Sequence, residues 1–405
     1  SAPGRRFPED EKITDLLYQT YRAQKNGQNP APIFQRVRER YLSIAEELRL
    51  SFPIARELDE VERLIREGAS EDFCASRGEY LNGLLLADYL GFAFLDPKDL
   101  VFFNDDGTFD SERTNAVMAE KLKTVPQAVI PGFYGSIRNG EIHTFSRGGS
   151  DISGSIVARA AYAELYENWT DVNGFLMADP HIVPKARPIR SITYRELREL
   201  SYMGATVLHE DSVFPVHRAG IPTNIRNTNA PEEPGTMIVP DSTDEELSAY
   251  TITGIAGKKG FVAINIEKDM MNSEVGFGRK VLEVFEKNGI SFEHMPSGID
   301  TMTVFVHQSE FEEKEQKVLA GIHRAVSPDS IELESDLALI AVVGRGMRSN
   351  RGTAGRIFSA LSHANVNVKM IDQGSSELNI IIGVKNEDFE PAIQAIYHIF
   401  VMTRL

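Results

Sequence analysis

The chain has 405 residues, more than one hydrophobic core of ordinary size can organise, and this length predicts two or three domains. Hydrophobic residues make up 42% of the chain and charged residues 25%, which is typical of a globular protein and excludes disorder as its main state. The 43 Lys and Arg against 59 Asp and Glu give a net charge of −16. This balance argues against nucleic acid or an anionic membrane as a partner, because both require clustered cations.

Cysteine content and hydropathy restrict the cellular location and the kinds of site that the sequence predicts. Its single cysteine, Cys74, cannot form a disulfide within the chain, which favours a reducing cytoplasm. The nine His residues show no metal-ligand spacing, so we expect no metal held by the protein alone. No apolar run reaches the roughly 18 residues of a membrane span, and the polar residues 1–10 are unlike a signal peptide.

The first part of the chain has a helical pattern. In residues 31–50 apolar positions recur every three or four residues from Ile33 to Leu48, which predicts a helix with one buried face. A further helix is predicted for residues 76–91, with Gly91 as its C-terminal cap.

Short apolar runs then alternate with helical patterns. Residues 128–130 are predicted to form a strand, and Asn139-Gly140 a type I′ hairpin turn. Helices are predicted for residues 150–165 and 193–203. Strands separated by helices of this length predict an α/β fold with a mainly parallel sheet.

The composition changes near residues 231–246, where Pro and acidic residues predict a linker. Beyond it a repeat of about 76 residues is visible. The helical pattern of 281–285 recurs at 357–361, and the strand pattern of 290–295 recurs at 366–371. The repeat predicts duplicated small α/β units, with two unrelated ferredoxin-like pieces as the alternative.

The strongest candidate site is Arg147-Gly148-Gly149-Ser150-Asp151, between the predicted hairpin and a helix. The glycines let backbone amides approach a ligand, and a helix N-terminus favours anions. Arg147 suits a carboxylate or phosphate, and Asp151 could pair with an ammonium group or Mg²⁺. The alternative is an ordinary helix cap formed by Ser150 or Asp151.

A second candidate is Thr170-Asp171, at the end of a predicted strand and followed by the turn Asp179-Pro180. Ligands of open α/β sheets bind at the carboxyl ends of strands, so Asp171 could meet a nucleotide or its metal. Ordinary turn chemistry of Asp and Pro is the alternative.

Further polar residues are less specific by themselves. Glu79 could bind a substrate ammonium group or be a solvated Glu in a helical first turn, and Thr14 by itself marks only a helix start. His209 and His217 are better explained by packing or exposure than by metal binding.

The sequence has no GxxxxGK[ST], GxGxxG or GxSxG motif, so a P-loop kinase, a Rossmann dehydrogenase and an α/β-hydrolase find no support.

In their order along the chain, these motifs resemble the aspartate kinases (aspartokinases) of the amino-acid kinase family, and the duplicated end resembles their paired ACT domains. The resemblance implies a carbamate-kinase-like α/β fold, with a mainly parallel sheet sandwiched by helices, followed by two ferredoxin-like ACT domains. The implied domains are 1–240, 241–325 and 326–405, with the last strand returning to the first ACT domain. The matching segments are 1–4, 13–17, 76–79, 131–135, 147–151, 169–171, 179–180, 204–209, 225–228, 271–277, 294–301 and 365–377.

The resemblance implies ATP-dependent phosphorylation of the L-aspartate side-chain carboxylate to 4-phospho-L-aspartate, the first step towards lysine, threonine and methionine. Arg147 would hold the α-carboxylate, while Glu79 and Asp151 would meet the ammonium group. The implied substrate residues are Thr14, Glu79, Arg147, Gly148, Gly149, Ser150 and Asp151. ATP with Mg²⁺ would bind as a substrate complex, without a prosthetic group, at Thr170, Asp171, Leu176, Asp179, Pro180, His181 and Thr206.

The resemblance also implies feedback regulation. Lysine, with threonine as an alternative, would bind the ACT domains, through which the chain would form a homodimer, with a tetramer as the larger alternative. The implied effector residues are Met271, Ser273, Glu274, Phe277, Ser297, Gly298, Asp300, Thr301, Asn365 and Gln373.

Some family features are missing. The family's first strand carries Lys-Phe-Gly-Gly-[Ser/Thr], and this sequence has no such segment, so we expect these 405 residues alone to be inactive or very weak. Thr206 stands where many members have Lys, and Leu176 and His181 where many have Tyr and Arg. A kinase-like amino-acid sensor and another acylphosphate-forming amino-acid kinase are therefore the alternative functions.

Overall fold

A computed structural model describes residues 1–145, 149–205, 210–240 and 251–401. The chain divides into two compact units, the first formed by Ser1–Asn168 and Leu208–Asn224 and the second by Trp169–Val207 and Ile225–Leu405. Within the described ranges no helix is long and apolar enough to cross a membrane.

The helices are α1 (Ile13–Lys25), α2 (Ala31–Glu47), α3 (Ile54–Arg66), α4 (Glu71–Leu90), α5 (Ser111–Lys123), α6 (Gly149–Ala160), α7 (Tyr194–Tyr202), α8 (Phe214–Ala219), α9 (Phe277–Lys287), α10 (Gln308–Phe311), α11 (Glu315–Val326), α12 (Thr353–His363) and α13 (Phe389–Val401). The strands are β1 (Ala93–Phe94), β2 (Ala128–Val129), β3 (Tyr134–Ser136), β4 (Ile142–Thr144), β5 (Tyr166–Thr170), β6 (Ser191–Thr193), β7 (Thr223–Asn227), β8 (Thr236–Val239), β9 (Gly254–Glu267), β10 (Phe292–His294), β11 (Thr301–His307), β12 (Ser330–Val343), β13 (Met370–Asp372) and β14 (Asn379–Lys385).

The first unit begins with four helices around one core. In α3 the apolar residues from Ile54 to Ile65 step by four, three and four residues, and all of them are buried. They pack with residues of α1, α2 and α4, including the fully buried Tyr41. The helix predicted for residues 31–50 is confirmed as α2.

The helix α4 is longer than its predicted range 76–91. It begins after Ser70, whose Oγ accepts a hydrogen bond from the Phe73 backbone N–H at 3.1 Å. It ends at Gly91, which adopts the left-handed conformation with φ 67° and confirms the predicted C-terminal cap.

The predicted hairpin is present, but its turn is not type I′. Only Gly140 of the central pair has a positive φ, of 86°, and the Gly140 N–H donates to the Ile137 carbonyl at 2.9 Å. This is a type I turn followed by a glycine bulge. The Asn139 Oδ1 atom accepts from the Glu141 N–H at 2.9 Å, and this local hydrogen bond favours the observed turn. The helix predicted to reach residue 165 is also shorter, since α6 ends at Ala160.

The strands before the tail are partly parallel. The pairs β1–β2 and β6–β8 are parallel, and β3–β4 is antiparallel. A four-stranded sheet has the order β5-β7-β8-β6. The predicted helix at 193–203 is confirmed as α7, with a complete capping box between Thr193 and Glu196.

The tail, defined here as residues 251–401, forms one antiparallel sheet of order β10-β11-β9-β12-β14-β13. The predicted repeat is confirmed: α9 and α12 follow Gly276 and Gly352, which both have positive φ. Each half of the sheet has the four-strand order of a ferredoxin-like unit, because β9 and β12 each contribute to both halves.

The two long strands, β9 and β12, pair with each other along both halves and pass from one ferredoxin-like unit to the other near their middle. Residues 263–267 of β9 pair with residues 330–334 of β12 in the first ferredoxin-like unit. Residues 254–259 pair with residues 338–343 in the second. The strand that completes the second unit therefore comes from the start of the tail. The described chain ends in α13, and residues 402–405, where a returning last strand would lie, are outside the described residues.

Candidate functional site

Glu79 is a buried carboxylate without a full set of partners. It lies on α4 with 7% of its surface exposed. One oxygen, Oε1, accepts from the Ala2 N–H at 3.2 Å, while Oε2 has no hydrogen-bond partner. Burial raises the pKa of the Glu79 carboxyl. A buried acceptor with a free oxygen is suited to a cationic ligand group.

Thr14 lies in the first turn of α1 and is partly buried. Ile13 and Leu17 on either side of it pack on α4 at Gly78, where an added Cβ would be 3.5 Å from each of them. Because Gly78 directly precedes Glu79, the structure brings the helical turn of Thr14 to the segment of α4 that holds Glu79.

The start of α6 is covered by the segment 131–135. Phe133 has a positive φ of 81°, which is strained for an aromatic residue. Its N–H donates to Ser153 Oγ at 2.9 Å. A Cβ at Gly149 would be 2.5 Å from Phe133 Cδ2, and one at Gly132 would be 3.1 Å from Ser150 Cα. The two glycines therefore permit a backbone approach that the motif alone did not explain.

The Asp151 side chain is oriented by polar neighbours. The Asn168 amide donates to Asp151 Oδ1 at 3.0 Å, and the Tyr166 hydroxyl donates to the Asp151 carbonyl at 3.2 Å. Ser150 beside it is exposed. Three predicted site residues, Arg147, Gly148 and Thr206, lie outside the described residues and stay predictions.

Arg77 was not assigned a role from the sequence, although it belongs to the quoted motif. It is 5% exposed, and its guanidinium lies 4.5 Å from the Phe73 ring centroid, 4.4 Å from that of Tyr80 and 5.2 Å from that of Tyr134. Its Nε and Nη2 atoms donate to Ser76 Oγ. These cation–π contacts hold α4 against β3, the strand that directly follows the strained Phe133. This role of Arg77 follows from its burial among three aromatic rings, which the sequence by itself does not show.

A cavity of about 400 Å³ lies within the second unit. Four of the predicted nucleotide residues line it, together with glycine and alanine from the end of α7 and apolar residues of the tail. The lining residues are Val172, Gly174, Phe175, Leu176, Ala178, Asp179, Pro180, His181, Ile182, Gly204, Ala205, Ile255, Ala256, Gly257, Phe389 and Ile393.

The turn of Asp179 at this cavity is held by its own side chain. The His181 N–H donates to Asp179 Oδ1 at 2.8 Å, and His181 Nδ1 lies 2.9 Å from the same oxygen. Both side chains are largely exposed. The turn can therefore present backbone and side-chain groups to a polar ligand without unfolding.

Thr170 ends β5 and Asp171 follows it, just before Val172 of the cavity lining. The Thr228 N–H donates to the Thr170 carbonyl at 2.8 Å, which fixes the strand end. Asp171 is exposed, and its Oδ1 accepts from Thr170 Oγ1 at 3.3 Å. This position agrees with the prediction from strand ends, and a binding role for either residue remains a prediction.

The two predicted effector loops of the first ferredoxin-like unit are adjacent. The Met270 N–H donates to Asp300 Oδ1 at 2.9 Å, and the Asn272 N–H donates to the Ile299 carbonyl at 3.1 Å. Ser273 lies exposed in this region. The structure thus brings the segments around residues 271–274 and 297–301 together.

Three of the predicted effector residues have other contacts. Met271 and Phe277 are buried in the core of the first ferredoxin-like unit. Glu274 is paired with Lys268 and Lys280, each at 2.6 Å, and hydrogen bonds from these ammonium groups lower its pKa. Its charge is therefore already balanced by the chain.

A second cavity, of about 610 Å³, lies in the tail. Ser297, Gly298 and Thr301 line it, as do Glu334 and Lys369, whose charged groups are 2.5 Å apart. The other predicted effector residues do not line this cavity. Asn365 and Gln373 are exposed in the second ferredoxin-like unit, and Gln373 follows Asp372, which contacts His294 Nδ1 at 2.8 Å.

The α/β fold of the first 240 residues and the ferredoxin-like tail match known families. Residues 17–227, just over half of the chain, match the amino acid kinase family, and residues 340–400 match the ACT domain. Fold and site thus define a kinase of the amino-acid type with a regulatory tail.

Individual relatives define the group within that family. Aspartokinase 3 of Bacillus subtilis (strain 168) is 39% identical over 99% of this chain and 91% of its own length. A crystal structure of Clostridium acetobutylicum aspartate kinase is 52% identical, with a TM-score of 0.93 over 99% of this chain and 92% of that one. E. coli aspartokinase III in complex with aspartate and ADP, at 23% identity and TM-score 0.67 over 96% and 91% of the two chains, shares the fold. The chain belongs to the aspartokinases, and its activity is that of a phosphotransferase with a carboxyl group as acceptor.

Proposed function

We propose that this chain transfers the γ-phosphoryl group of MgATP to the side-chain carboxylate of L-aspartate, giving 4-phospho-L-aspartate and ADP. A carboxylate oxygen attacks the γ-phosphorus, and the bond between that phosphorus and the β,γ-bridging oxygen breaks. The observation that supports this substrate is Glu79, a buried carboxylate with an unpartnered oxygen, which suits the substrate ammonium group.

The remaining substrate contacts follow from the start of α6. We assign Arg147 to the α-carboxylate and Asp151 to the ammonium group beside Glu79. Gly149 lies at the N-terminus of α6, where free N–H groups favour an anion. The proposed lining is completed by Thr14, Gly148 and Ser150.

The cavity of about 400 Å³ is the proposed nucleotide site. The proposed ATP contacts are Thr170, Asp171, Leu176, Asp179, Pro180, His181 and Thr206. Magnesium would enter with the nucleotide phosphates as part of the substrate complex.

The chemistry needs alignment more than proton transfer. The attacking group is already an anion, so a strong general base is unnecessary. The main barrier is to bring a carboxylate and a triphosphate together in a chain whose net charge is −16. Backbone amides, Arg147 and Mg²⁺ provide the local positive charge that such a transfer requires.

The reaction is tested by incubating the purified chain with MgATP and L-aspartate and trapping the product with hydroxylamine. An acyl phosphate yields aspartate hydroxamate, whereas simple ATP hydrolysis yields none. Since these 405 residues contain no Lys-Phe-Gly-Gly segment, the proposal expects hydroxamate at a very low rate that still depends on both substrates. Binding of lysine without any phosphoryl transfer would instead favour the kinase-like sensor.

We further propose that lysine, with threonine as the alternative, inhibits the enzyme by binding the adjacent loops of the first ferredoxin-like unit. Asp300 is the proposed partner of the effector ammonium group, because Glu274 is already paired with two lysines of the chain. Ser297 and the nearby backbone amides would meet the α-carboxylate. Such feedback requires two states that differ in lysine affinity.

Asp300→Asn should raise the lysine concentration for half-inhibition by about tenfold, because a neutral amide attracts an ammonium group more weakly. The amide oxygen can still accept from the Met270 N–H, so the loop geometry is retained. Inhibition is measured relative to each variant's own uninhibited rate, with the half-buried Glu283→Gln on α9 as control. Equal inhibition of Asp300→Asn and wild type would remove Asp300 from the site.

We also propose a homodimer formed through the first ferredoxin-like unit, with a tetramer as the larger alternative. Met270, Val275 and Ile299 lie on its two adjacent loops and are 70%, 97% and 69% exposed. Exposed apolar clusters of this kind are common at subunit interfaces.

Val275→Asp should shift the chain from dimer towards monomer, because a charge in an apolar interface is costly. Light scattering after size-exclusion chromatography gives the molar mass. The control is Tyr162→Asp, a similarly exposed position in the first unit. A dimer that survives Val275→Asp at low micromolar concentration would contradict this interface.

We place the reaction at the entry to lysine, threonine and methionine biosynthesis and propose a cytoplasmic location. The single cysteine supports that location. Cys74 is buried, and burial raises the pKa of its thiol to about 12, which keeps it protonated and unreactive.

A further inference from the structure

The proposed nucleotide cavity has a wall that belongs to the tail. Ile255, Ala256 and Gly257 of β9 line one side, joined by Phe389 and Ile393 of α13. These elements form part of the second ferredoxin-like unit, the half of the tail that does not contain the proposed effector loops. All the lining residues belong to the same compact unit of the chain.

This wall is attached to the turn that presents Asp179. The Ile255 N–H donates to the Met177 carbonyl at 2.7 Å, just before that turn. On the other side of the turn, the Gln394 amide of α13 donates to the Ile182 carbonyl at 2.8 Å. A strand and a helix of the tail therefore hold both ends of the predicted nucleotide turn.

Gly257 permits α13 to approach β9 closely. A Cβ at this position would be 2.6 Å from Phe389 Cε2 and 2.7 Å from the Leu339 carbonyl oxygen. With glycine present, the aromatic ring packs directly on the backbone of β9. The ring is largely buried and forms a fixed apolar surface of the cavity.

The chemistry of the wall determines which part of a nucleotide it fits. Ile255, Ala256, Phe389 and Ile393 offer no charge or hydrogen-bonding side chain, so they cannot replace the water around a triphosphate. A flat, weakly solvated purine base gains from such a surface by apolar contact and by contact with an aromatic ring. The polar turn of Asp179 lies elsewhere on the lining.

We propose that the second ferredoxin-like unit supplies the base-binding wall of the nucleotide site, a proposal that rests on the proposed function of this cavity. The tail is then a component of the substrate site as well as a regulatory attachment. ATP binding stabilises the packing of α13 against β9, and a displaced α13 lowers ATP affinity by the same free energy, because coupled binding equilibria are reciprocal.

The test fills the wall by Ala256→Leu and measures binding by calorimetry. The variant should bind MgATP about tenfold more weakly, because the added side chain occupies the space of the base. Binding of magnesium tripolyphosphate, which has no base, should be unchanged. Ala364→Leu, an exposed position in the tail outside the cavity, is the matched control.

A second, less disruptive variant keeps the test decisive if Ala256→Leu fails to fold. Phe389→Leu removes the ring without adding bulk and should weaken MgATP by a few-fold, again without effect on tripolyphosphate. Hydrogen exchange of α13 should slow on addition of MgATP to the wild-type chain and respond less in both variants.

The outcomes separate the two proposals. A wild-type chain that does not bind MgATP contradicts the proposed function. Wild-type binding that neither Ala256→Leu nor Phe389→Leu weakens overturns the base-binding wall, and so does an equal loss of ATP and tripolyphosphate affinity.

Discussion

Glu79→Gln is expected to weaken the binding of L-aspartate by about 100-fold, or about 3 kcal/mol, because it removes a buried charge that faces the substrate ammonium group. The same substitution is expected to make the folded chain more stable at neutral pH. A residue that improves binding at the expense of stability is typical of a functional site, and a buried carboxylate with an unpartnered oxygen is costly for stability.

The stability effect depends on pH in a defined direction. Burial raises the pKa of Glu79 in the folded state above its unfolded value. Between these two values the folded chain binds the proton more tightly, so the contribution of Glu79 to stability is fully present below the unfolded pKa and is lost as pH rises through the folded pKa. Gln is neutral throughout, so the variant should gain stability relative to wild type as the pH rises.

Thermal unfolding at pH 4 and pH 8 and calorimetric titration with aspartate check both parts. The control is Glu71→Gln, an exposed position in the first turn of the same helix, which should change neither quantity appreciably. Unchanged aspartate affinity, or a variant less stable than wild type at pH 8, would show that Glu79 is a structural residue.

Local patterns predicted the helices well. The apolar spacing between Ile33 and Leu48 and the cap at Gly91 depend on neighbours within a few residues, and both are confirmed. The turn at Asn139 was wrong in type because a side-chain hydrogen bond to Glu141 competes with the type I′ conformation. The exchange of strands between the two halves of the tail is a pairing between distant segments, which periodicity cannot reveal.

The sequence predicted those site residues whose side chains belong to a recognisable polar motif. Glu79 and Asp151 were named from the order of motifs, and the structure adds burial and partners. Arg77 and the tail residues of the nucleotide cavity were missed. Their roles come from aromatic rings, or from a cavity assembled by segments far apart in sequence, and Ala256 or Phe389 has no sequence signal beyond apolarity.

A second large effect, a loss of stability, is expected from substitution of Glu196. This carboxylate has 0% exposure and connects α7 to the tail through hydrogen bonds. Its Oε2 atom accepts from Thr193 N–H and Oγ1, both at 2.9 Å. Its Oε1 atom accepts from Thr253 Oγ1 at 2.6 Å and from the Arg345 N–H at 3.0 Å. Four donors therefore converge on one side chain, which closes the capping box of α7 and fixes two segments of the tail beside it.

Glu196→Gln should destabilise the chain by about 2–4 kcal/mol, because an amide has one acceptor oxygen and its NH₂ group would face a backbone N–H. The other end of α7 leads to Gly204 and Ala205 of the nucleotide cavity, so MgATP affinity should fall as well. Denaturant unfolding and calorimetry measure the two effects.

Glu199→Gln is the matched control, since it lies one turn away on α7 and also contacts the tail. Its Oε2 atom accepts from the Asn379 amide at 2.5 Å, and a Gln oxygen can still accept that bond, so we expect a loss of about 1 kcal/mol or less. If both variants lost the same stability, removal of charge from α7 would be the cause. A loss of stability and of MgATP affinity confined to Glu196→Gln would show that the four converging hydrogen bonds are the contacts through which the tail stabilises the nucleotide cavity.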